Sequence, residues 1–293
     1  MTDFGQLITA MVTPFKPDGS VDYKRAGELA QFLAHNGSDG IVVHGTTGES
    51  PTLTHEEEYE MYKTVKKAVD GKVKIIAGTG SNSTAETLEA TAHAEKIGVD
   101  GIMVVVPYYN KPPQEGMYQH FKKVAGATKL PIIIYNIPGR TGVNMMPDTV
   151  ARLAKIPNIV GIKEASGIME QVSEIRKKTP KEFMIYSGDD DKTFEIMKRG
   201  GIGVISVASH IVGKEIKKMC EMLAAGKMLD AEMINSRLSP IFKVLFITAN
   251  PICVKAALAL IGQPVGGLRL PLIEANDSEK DQIRKVLKDL GIL

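Results

Sequence analysis

Eight short apolar runs, each followed by a longer polar-apolar segment, constrain the fold of this chain more than any other feature. The runs are rich in valine and isoleucine, and each is too short for a globular helix, so each is typical of a buried strand. Strands that are apolar throughout indicate a parallel sheet covered on both faces. The predicted strands are residues 7–12, 40–43, 74–77, 101–106, 131–135, 158–162, 183–186 and 203–207.

Helical patterns separate these strands, and several of them carry helix start and stop signals. Thr54 with Glu57 three residues later forms a capping-box pattern before the helix at 55–69. Ser83 or Thr84 precedes the next helix, at 85–96, and Gly98 and Gly200 follow helix ends. The predicted helices are residues 22–35, 55–69, 85–96, 114–127, 147–154, 169–178 and 191–199.

Eight strand-helix alternations favour a closed (β/α)8 TIM barrel over an open doubly wound sheet. An open sheet that binds a dinucleotide would need a glycine-rich turn after the first strand, and residues 13–17 read TPFKP. Beyond residue 207 the pattern becomes helical only, at 211–225, 227–245, 251–261 and 277–290. We therefore expect a barrel over residues 1–225 and a small C-terminal helical region over residues 226–293.

Charge and composition exclude several classes of protein. The 36 Lys+Arg nearly balance the 34 Asp+Glu, and no basic block suggests nucleic acid. The two cysteines and six histidines show no metal-ligand spacing. No apolar stretch is long enough to cross a membrane, and residues 1–5 lack the features of a signal peptide, so we expect a cytoplasmic protein.

Polar side chains collect where the predicted strands end. In a (β/α)8 barrel these ends form one rim, and that rim carries the chemistry. The opposite rim offers no comparable set of residues. The strand ends in question are residues 44–50, 107–110, 135–141, 163–164, 187–190 and 205–206.

Lys163 is the most unusual residue on this rim. Burial disfavours its ammonium form, lowers its pKa and leaves an amine that can attack a carbonyl. A structural alternative is a lysine that reaches solvent or pairs with Glu164. The convergence of hydroxyls, phenols and an arginine on the same rim favours the functional interpretation.

Four neighbours on the rim suit the same chemistry. Tyr135 ends the preceding strand and could carry protons for an imine-forming Lys163, or be a core aromatic whose hydroxyl is merely satisfied. Thr46 and Thr47 offer hydroxyls and backbone N–H groups for a carboxylate, or form an ordinary glycine-rich turn. Arg140 could hold a second carboxylate, or be a solvated surface arginine.

Two other chemistries are disfavoured. The run that begins at His55 resembles a zinc-protease helix, but Tyr59 stands in place of the second histidine. A phosphate site would lie after strands 7 and 8, and there the acidic run 189–191 would repel it. The substrate is therefore expected to be a carboxylate.

Four motifs together resemble the dihydrodipicolinate synthase family. They are GTTGES at 45–50, YNIPGRT at 135–141, GIKE at 161–164 and GVISV at 203–207, and the likeness runs from residue 13 to residue 271. The resemblance implies condensation of pyruvate with L-aspartate 4-semialdehyde to 4-hydroxy-tetrahydrodipicolinate. This is a lyase reaction of the diaminopimelate and lysine pathway, and it needs no metal or organic cofactor.

The resemblance also implies roles for individual residues. Lys163 matches the lysine that forms the Schiff base with pyruvate. Tyr135 matches a proton carrier that works with Thr46 and with Tyr109, which in the family reaches in from a neighbouring subunit. The implied substrate-binding residues are Thr47, Ile205 and Gly188 for pyruvate and Arg140 for the aldehyde's carboxylate.

An oligomer and an effector are implied as well. Family members are often homotetramers and sometimes dimers, and L-lysine inhibits some of them. Glu58 departs from a histidine common in lysine-sensitive enzymes, and the sign of its effect on lysine binding stays open. The matching effector positions are Ser50, Pro51, His55, Glu58, Asn82, Glu86 and Tyr108.

Two alternatives remain at this stage. A related pyruvate-imine aldolase, such as an N-acetylneuraminate lyase or a keto-deoxy-sugar acid aldolase, would share the tyrosine and lysine but usually lacks a match to Arg140. A non-catalytic barrel that binds a small acid would not need Lys163, Tyr135, Thr46 and Tyr109 together.

Overall fold

The computed structural model describes residues 3–293 and contains, within them, a closed barrel of eight parallel strands in the order of the chain. This confirms the predicted (β/α)8 TIM barrel. Met1 and Thr2, which belong to the N-terminal stretch judged not to be a signal peptide, lie outside the described residues. The strands are β1 (Leu7–Ala10), β2 (Gly40–Val43), β3 (Lys74–Gly78), β4 (Gly101–Val105), β5 (Ile132–Asn136), β6 (Ile159–Glu164), β7 (Met184–Ser187) and β8 (Gly203–Ser206).

Helices surround the barrel and continue beyond it. The capping box at Thr54 and Glu57 is formed in both directions, and Ser83 accepts a hydrogen bond from the backbone N–H of Glu86. Gly98 ends its helix in the left-handed conformation, as predicted. The helices are α1 (Tyr23–His35), α2 (His55–Val69), α3 (Thr84–Ile97), α4 (Gln114–Gly126), α5 (Pro138–Thr141), α6 (Pro147–Leu153), α7 (Met169–Lys178), α8 (Thr193–Lys198), α9 (Ser209–Ala224), α10 (Met228–Val244), α11 (Ile252–Leu260) and α12 (Asp277–Asp289).

The core has two layers that follow from the alternation of side chains along each strand. One set of side chains, including Ile8, Val42 and Ile133, fills the barrel interior. The other set, including Ile41 and Ile134, packs against the surrounding helices. Because both faces of each strand are apolar, the strands read as continuous hydrophobic runs in the sequence.

The pairing of β5 with β6 determines which residues meet at the rim. Ile132 pairs with Ile159 and Ile133 with Gly161, so the register shifts by one residue at the start of β6. Beyond this irregularity Tyr135 lies directly beside Lys163. The shift therefore sets the pairing of the two residues singled out in the sequence.

The C-terminal helices begin after a short turn. Helix α9 ends at Ala224 and α10 begins at Met228, close to the expected division at residue 226, which stays a prediction. Within residues 3–293, no helix is long and apolar enough to span a membrane. Over the same residues there is no cluster of three or more His, Cys, Asp or Glu side chains suited to a metal ion.

Candidate active site

The site is centred on two buried side chains at the carboxyl ends of β5 and β6. Tyr135 and Lys163 are each 5% exposed. The Nζ atom of Lys163 lies 4.2 Å from the centre of the Tyr135 ring. A cation or amine at this distance from a phenol ring is in contact with its face.

Lys163 matches neither structural alternative. It does not reach solvent, and among the described residues its amine has no hydrogen-bond or ion-pair partner. Glu164 points to the other face of the strand, where its carboxylate accepts hydrogen bonds from Asn136, Gln171 and the backbone N–H of Ser166. The lysine is therefore buried without the neighbour that could have neutralised it.

Burial sets the protonation of both central groups. It lowers the pKa of Lys163 to about 8, an effect that Asp189 and Asp190 oppose and Arg140 assists. Burial also raises the pKa of the Tyr135 phenol, while Arg140 and the nearby Thr46 hydroxyl lower it. Near neutral pH the lysine can supply a free amine, and the tyrosine keeps its proton to donate.

The 45–50 motif forms a tight turn after β2. Thr46–Gly48 is a 3-10 helix, and Thr47 is buried. The Thr47 hydroxyl oxygen accepts a hydrogen bond of 2.9 Å from the side-chain amide of Asn250. The hydroxyl of Thr13 donates to the carbonyl of Gly48 at 2.6 Å, so the turn is held from two sides.

In the acidic run after β7, Asp190 stabilises the end of β8. Asp190 accepts hydrogen bonds from the Ser206 hydroxyl at 2.5 Å and from the backbone N–H groups of Val207 and Ala208. It therefore fixes the end of β8, which carries the buried Ile205. Burial raises the pKa of its neighbour Asp189 to about 6, and Lys163 opposes this shift.

Arg140 and Gly188 lie at the edges of the same rim. Arg140 is exposed in the short helix α5. A Cβ atom at Gly188 would lie 2.5 Å from the Cβ of Ala165, so only glycine allows this close approach of β7 to β6. The glycine's N–H donates to the carbonyl of Glu164 at 2.8 Å.

A cavity of about 230 Å³ opens beside these residues. Lys163 is not in its wall, but the Tyr135 ring that Lys163 contacts is. The cavity therefore connects catalytic candidates with three effector candidates. Its lining includes Thr46, Tyr135, Arg140, Ser50, Pro51 and Tyr108.

Tyr109 is the one catalytic candidate that the single chain does not bring to the site. Its side chain is 89% exposed, and its backbone has a φ of 70°, a conformation rare for a bulky residue. Tyr108, by contrast, turns toward the cavity and is 37% exposed. The predicted role of Tyr109 therefore depends on a second chain and stays a prediction.

The remaining effector candidates lie around the start of α2 and α3. The Ser50 hydroxyl donates to Glu58 at 2.7 Å, and His55 lies 3.4 Å from the same carboxylate. Glu58 is nearly buried, which raises its pKa. Glu86 accepts from the Ser81 hydroxyl at 2.6 Å, and the Asn82 carbonyl accepts from Asn110 at 2.9 Å.

Sequence reasoning missed the contribution of the C-terminal region. Asn250 holds Thr47, and Lys255 of α11 forms a buried ion pair with Glu49, with Nζ and Oε1 2.5 Å apart. The backbone N–H of Arg269 also donates to Glu49, at 3.1 Å. Since the partners lie more than 200 residues apart, no local pattern could have indicated these contacts.

Fold and site together define a (β/α)8-barrel protein with a buried, unpaired lysine at the carboxyl rim. The family model described as "Dihydrodipicolinate synthetase family" matches residues 3–290. The chain therefore belongs to this family, as the motifs predicted.

Three known proteins show how close the likeness is. A 4-hydroxy-tetrahydrodipicolinate synthase from Cyanothece sp. is 55% identical, over 100% of both chains. A crystal structure of the synthase from Cyanidioschyzon merolae with lysine bound has a TM-score of 0.98 and 52% identity, covering 99% of each chain. The chloride-inhibited synthase from Acinetobacter baumannii complexed with pyruvate has a TM-score of 0.97 and 41% identity, over 99% of this chain and 100% of the other.

Proposed function

We propose that this protein condenses pyruvate with L-aspartate 4-semialdehyde to give 4-hydroxy-tetrahydrodipicolinate. The observation that carries the proposal is Lys163, an amine buried without a partner against the ring of Tyr135. The names of the full-length relatives and the pyruvate complex of the Acinetobacter baumannii synthase support the choice of reaction and of first substrate.

The first stage joins pyruvate to Lys163. The neutral amine attacks the ketone carbon, the carbonyl oxygen leaves as water, and an imine forms. The hydroxyl and the backbone N–H of Thr47 receive the carboxylate of pyruvate. Tyr135, whose raised pKa keeps the phenol protonated, donates to the departing oxygen and is reprotonated through Thr46.

The second stage forms the carbon-carbon bond. The imine's methyl group loses a proton to give an enamine, and the enamine carbon attacks the aldehyde carbon of the second substrate. Arg140, exposed at the cavity, receives that substrate's carboxylate. The substrate's own amine then attacks the imine carbon, closes the ring and releases Lys163, so one water is lost overall.

Borohydride trapping tests this function. Incubation with pyruvate and reduction should convert the imine to a stable secondary amine, which peptide mass spectrometry should place on Lys163. Lys255 is the internal control, because it is also a buried lysine but has an ion-pair partner. An unmodified Lys163 would refute the proposal. Product formation with aspartate semialdehyde, compared with cleavage of sialic acid or keto-deoxygluconate, separates the synthase from the aldolases.

We further propose that L-lysine is an effector and that the active protein is an oligomer, a tetramer or a dimer. The lysine-bound Cyanidioschyzon merolae structure supports the first point, and the exposed Tyr109 supports the second. Ser50, Pro51 and Tyr108 line the cavity that also reaches Tyr135. Inhibition by lysine, measured for the parent and for Glu58→His, tests the effector. Sedimentation of the parent and of Tyr109→Ala tests assembly.

A further inference from the structure

The hydroxyl of Thr47 is held from the C-terminal region. The side-chain amide of Asn250 donates to its oxygen at 2.9 Å, and the two residues are 6% and 3% exposed. No other side chain among the described residues hydrogen-bonds this hydroxyl. Its orientation in the free protein is therefore set by one residue, 203 positions away in the sequence.

This contact leaves the proton of the Thr47 hydroxyl free to donate to another group. A hydroxyl has one proton to give and two lone pairs that accept. Because Asn250 donates to the oxygen, the hydroxyl proton points away from Asn250 and stays free to donate to a bound acid. A carboxylate accepts hydrogen bonds only, so a hydroxyl already oriented to donate suits it.

A second contact, the ion pair of Glu49 with Lys255, holds the same turn two residues after Thr47. Glu49 is 2% exposed and has a φ of 56°, and its carboxylate lies 2.5 Å from the Lys255 amine. Lys255 also donates to the carbonyl of Gly267 at 2.7 Å. Asn250 and Lys255 flank the start of α11, so this helix end holds the turn at both Thr47 and Glu49.

We propose that Asn250 is a positioning residue that directs the Thr47 hydroxyl toward the carboxylate of pyruvate. The C-terminal region is thereby part of the pyruvate site, although it contributes no group that touches the reacting atoms. The proposal rests on the proposed function only in naming pyruvate as the acid bound there.

A double-mutant cycle tests the proposal. The quantity measured is the pyruvate concentration that half-saturates borohydride trapping on Lys163. Asn250→Ala should raise it about fivefold, the effect of one hydrogen bond. Thr47→Val should raise it similarly. The double variant should be no worse than Thr47→Val alone, because Asn250 acts through the hydroxyl that valine lacks.

Asn250→Asp sharpens the test and keeps it usable if the alanine variant does not fold. Aspartate has the same shape but accepts, so it takes the Thr47 proton away and should raise half-saturation by more than about tenfold. A role in shape alone predicts a value near the parent's. Asn276→Ala is the matched control, because Asn276 caps α12 away from the turn and its loss should leave half-saturation unchanged.

Four results would overturn the inference. One is an Asn250→Ala effect that persists in full in the Thr47→Val background. Another is a parent-like Asn250→Asp variant. A third is an Asn276→Ala variant that is impaired equally. A parent protein that forms no adduct would refute the proposed function itself. An Asn250→Ala variant that forms the adduct at the parent's half-saturating pyruvate concentration would refute only the positioning role of Asn250.

Discussion

Two lysines are buried in this molecule, and their surroundings differ in one decisive respect. Lys163, at the barrel rim, is 5% exposed and, among residues 3–293, has no charged partner in contact. Lys255, in the C-terminal region, is 3% exposed and contacts the Glu49 carboxylate, the Gly267 carbonyl and the Phe15 ring. Burial lowers the pKa of both amines. Asp189 and Asp190 oppose the shift at Lys163, while at Lys255 the opposing carboxylate, Glu49, is in direct contact with the amine.

This difference explains why one buried lysine is reactive and the other is structural. A buried amine without a partner loses its proton readily and becomes a nucleophile, whereas a buried ion pair keeps the charge and fixes geometry. Lys255 holds the turn that carries Thr46 and Thr47, so the structural lysine supports the site in which the reactive lysine works. Burial alone therefore does not identify a nucleophilic lysine. Burial without an ion-pair partner does.

Replacing Lys163 should give the largest effect on activity. Lys163→Ala removes the nucleophile, so the pyruvate adduct should vanish and kcat should fall by more than about a thousandfold. Lys163→Met, closer in shape, should lose activity equally without lowering the free energy of unfolding, since the parent amine forms no ion pair. Rate assays and urea unfolding check this, and an active Lys163→Met variant would break the comparison.

Replacing Lys255 should mainly affect stability. Lys255→Met leaves the buried Glu49 carboxylate without its cation and with the backbone N–H of Arg269 as a remaining partner, and the free energy of unfolding should fall by about 3–5 kcal/mol. Adding Glu49→Gln should recover a large part of this loss, and any adduct should still map to Lys163. Urea titrations of the single and double variants measure the effect. A stable Lys255→Met variant that no longer traps pyruvate would mean that Lys255 is more than structural.

Replacing Tyr135 tests the proton carrier beside the reactive lysine. Tyr135→Phe keeps the ring against Lys163 but removes the phenol proton, so kcat should fall about a hundredfold. Stopped-flow measurement of imine formation should show a similar loss. Thr46→Val should act in the same direction and add little in the Tyr135→Phe background, because both residues belong to one relay.

Replacing Arg140 should separate the two substrates. Arg140→Ala should leave trapping of pyruvate largely intact while raising the KM for aspartate semialdehyde roughly tenfold or more, since a charge-assisted contact is lost. Arg152, an exposed arginine that pairs with Glu115, is the matched control. Equal loss for both substrates would place Arg140 at the pyruvate end of the site.

Much of the architecture could be predicted because its causes are local. Apolar runs such as residues 40–43 and 203–207 are buried on both faces, so their sequence alone indicates strands. The meeting of Tyr135 and Lys163 follows from their places at the ends of consecutive strands. The shift between β5 and β6 has no such signal, because it depends on how two strands pair in three dimensions.

The parts that could not be predicted depend on long-range contacts. The contact of Asn250 with Thr47 and that of Lys255 with Glu49 each join residues more than 200 positions apart. The acidic run at 189–191 indicated only that phosphate is disfavoured. The structure shows that Asp190 also ties β7 to the end of β8.

The pH dependence of borohydride trapping on Lys163 tests the central claim most directly. Only the neutral amine attacks pyruvate, so the initial trapping rate should rise with pH and then level off. The midpoint of the rise should lie near 8, the pKa that burial gives Lys163. Lys255 should remain unmodified throughout. A midpoint near the ordinary lysine pKa of about 10.4, or an adduct on Lys255, would contradict the account.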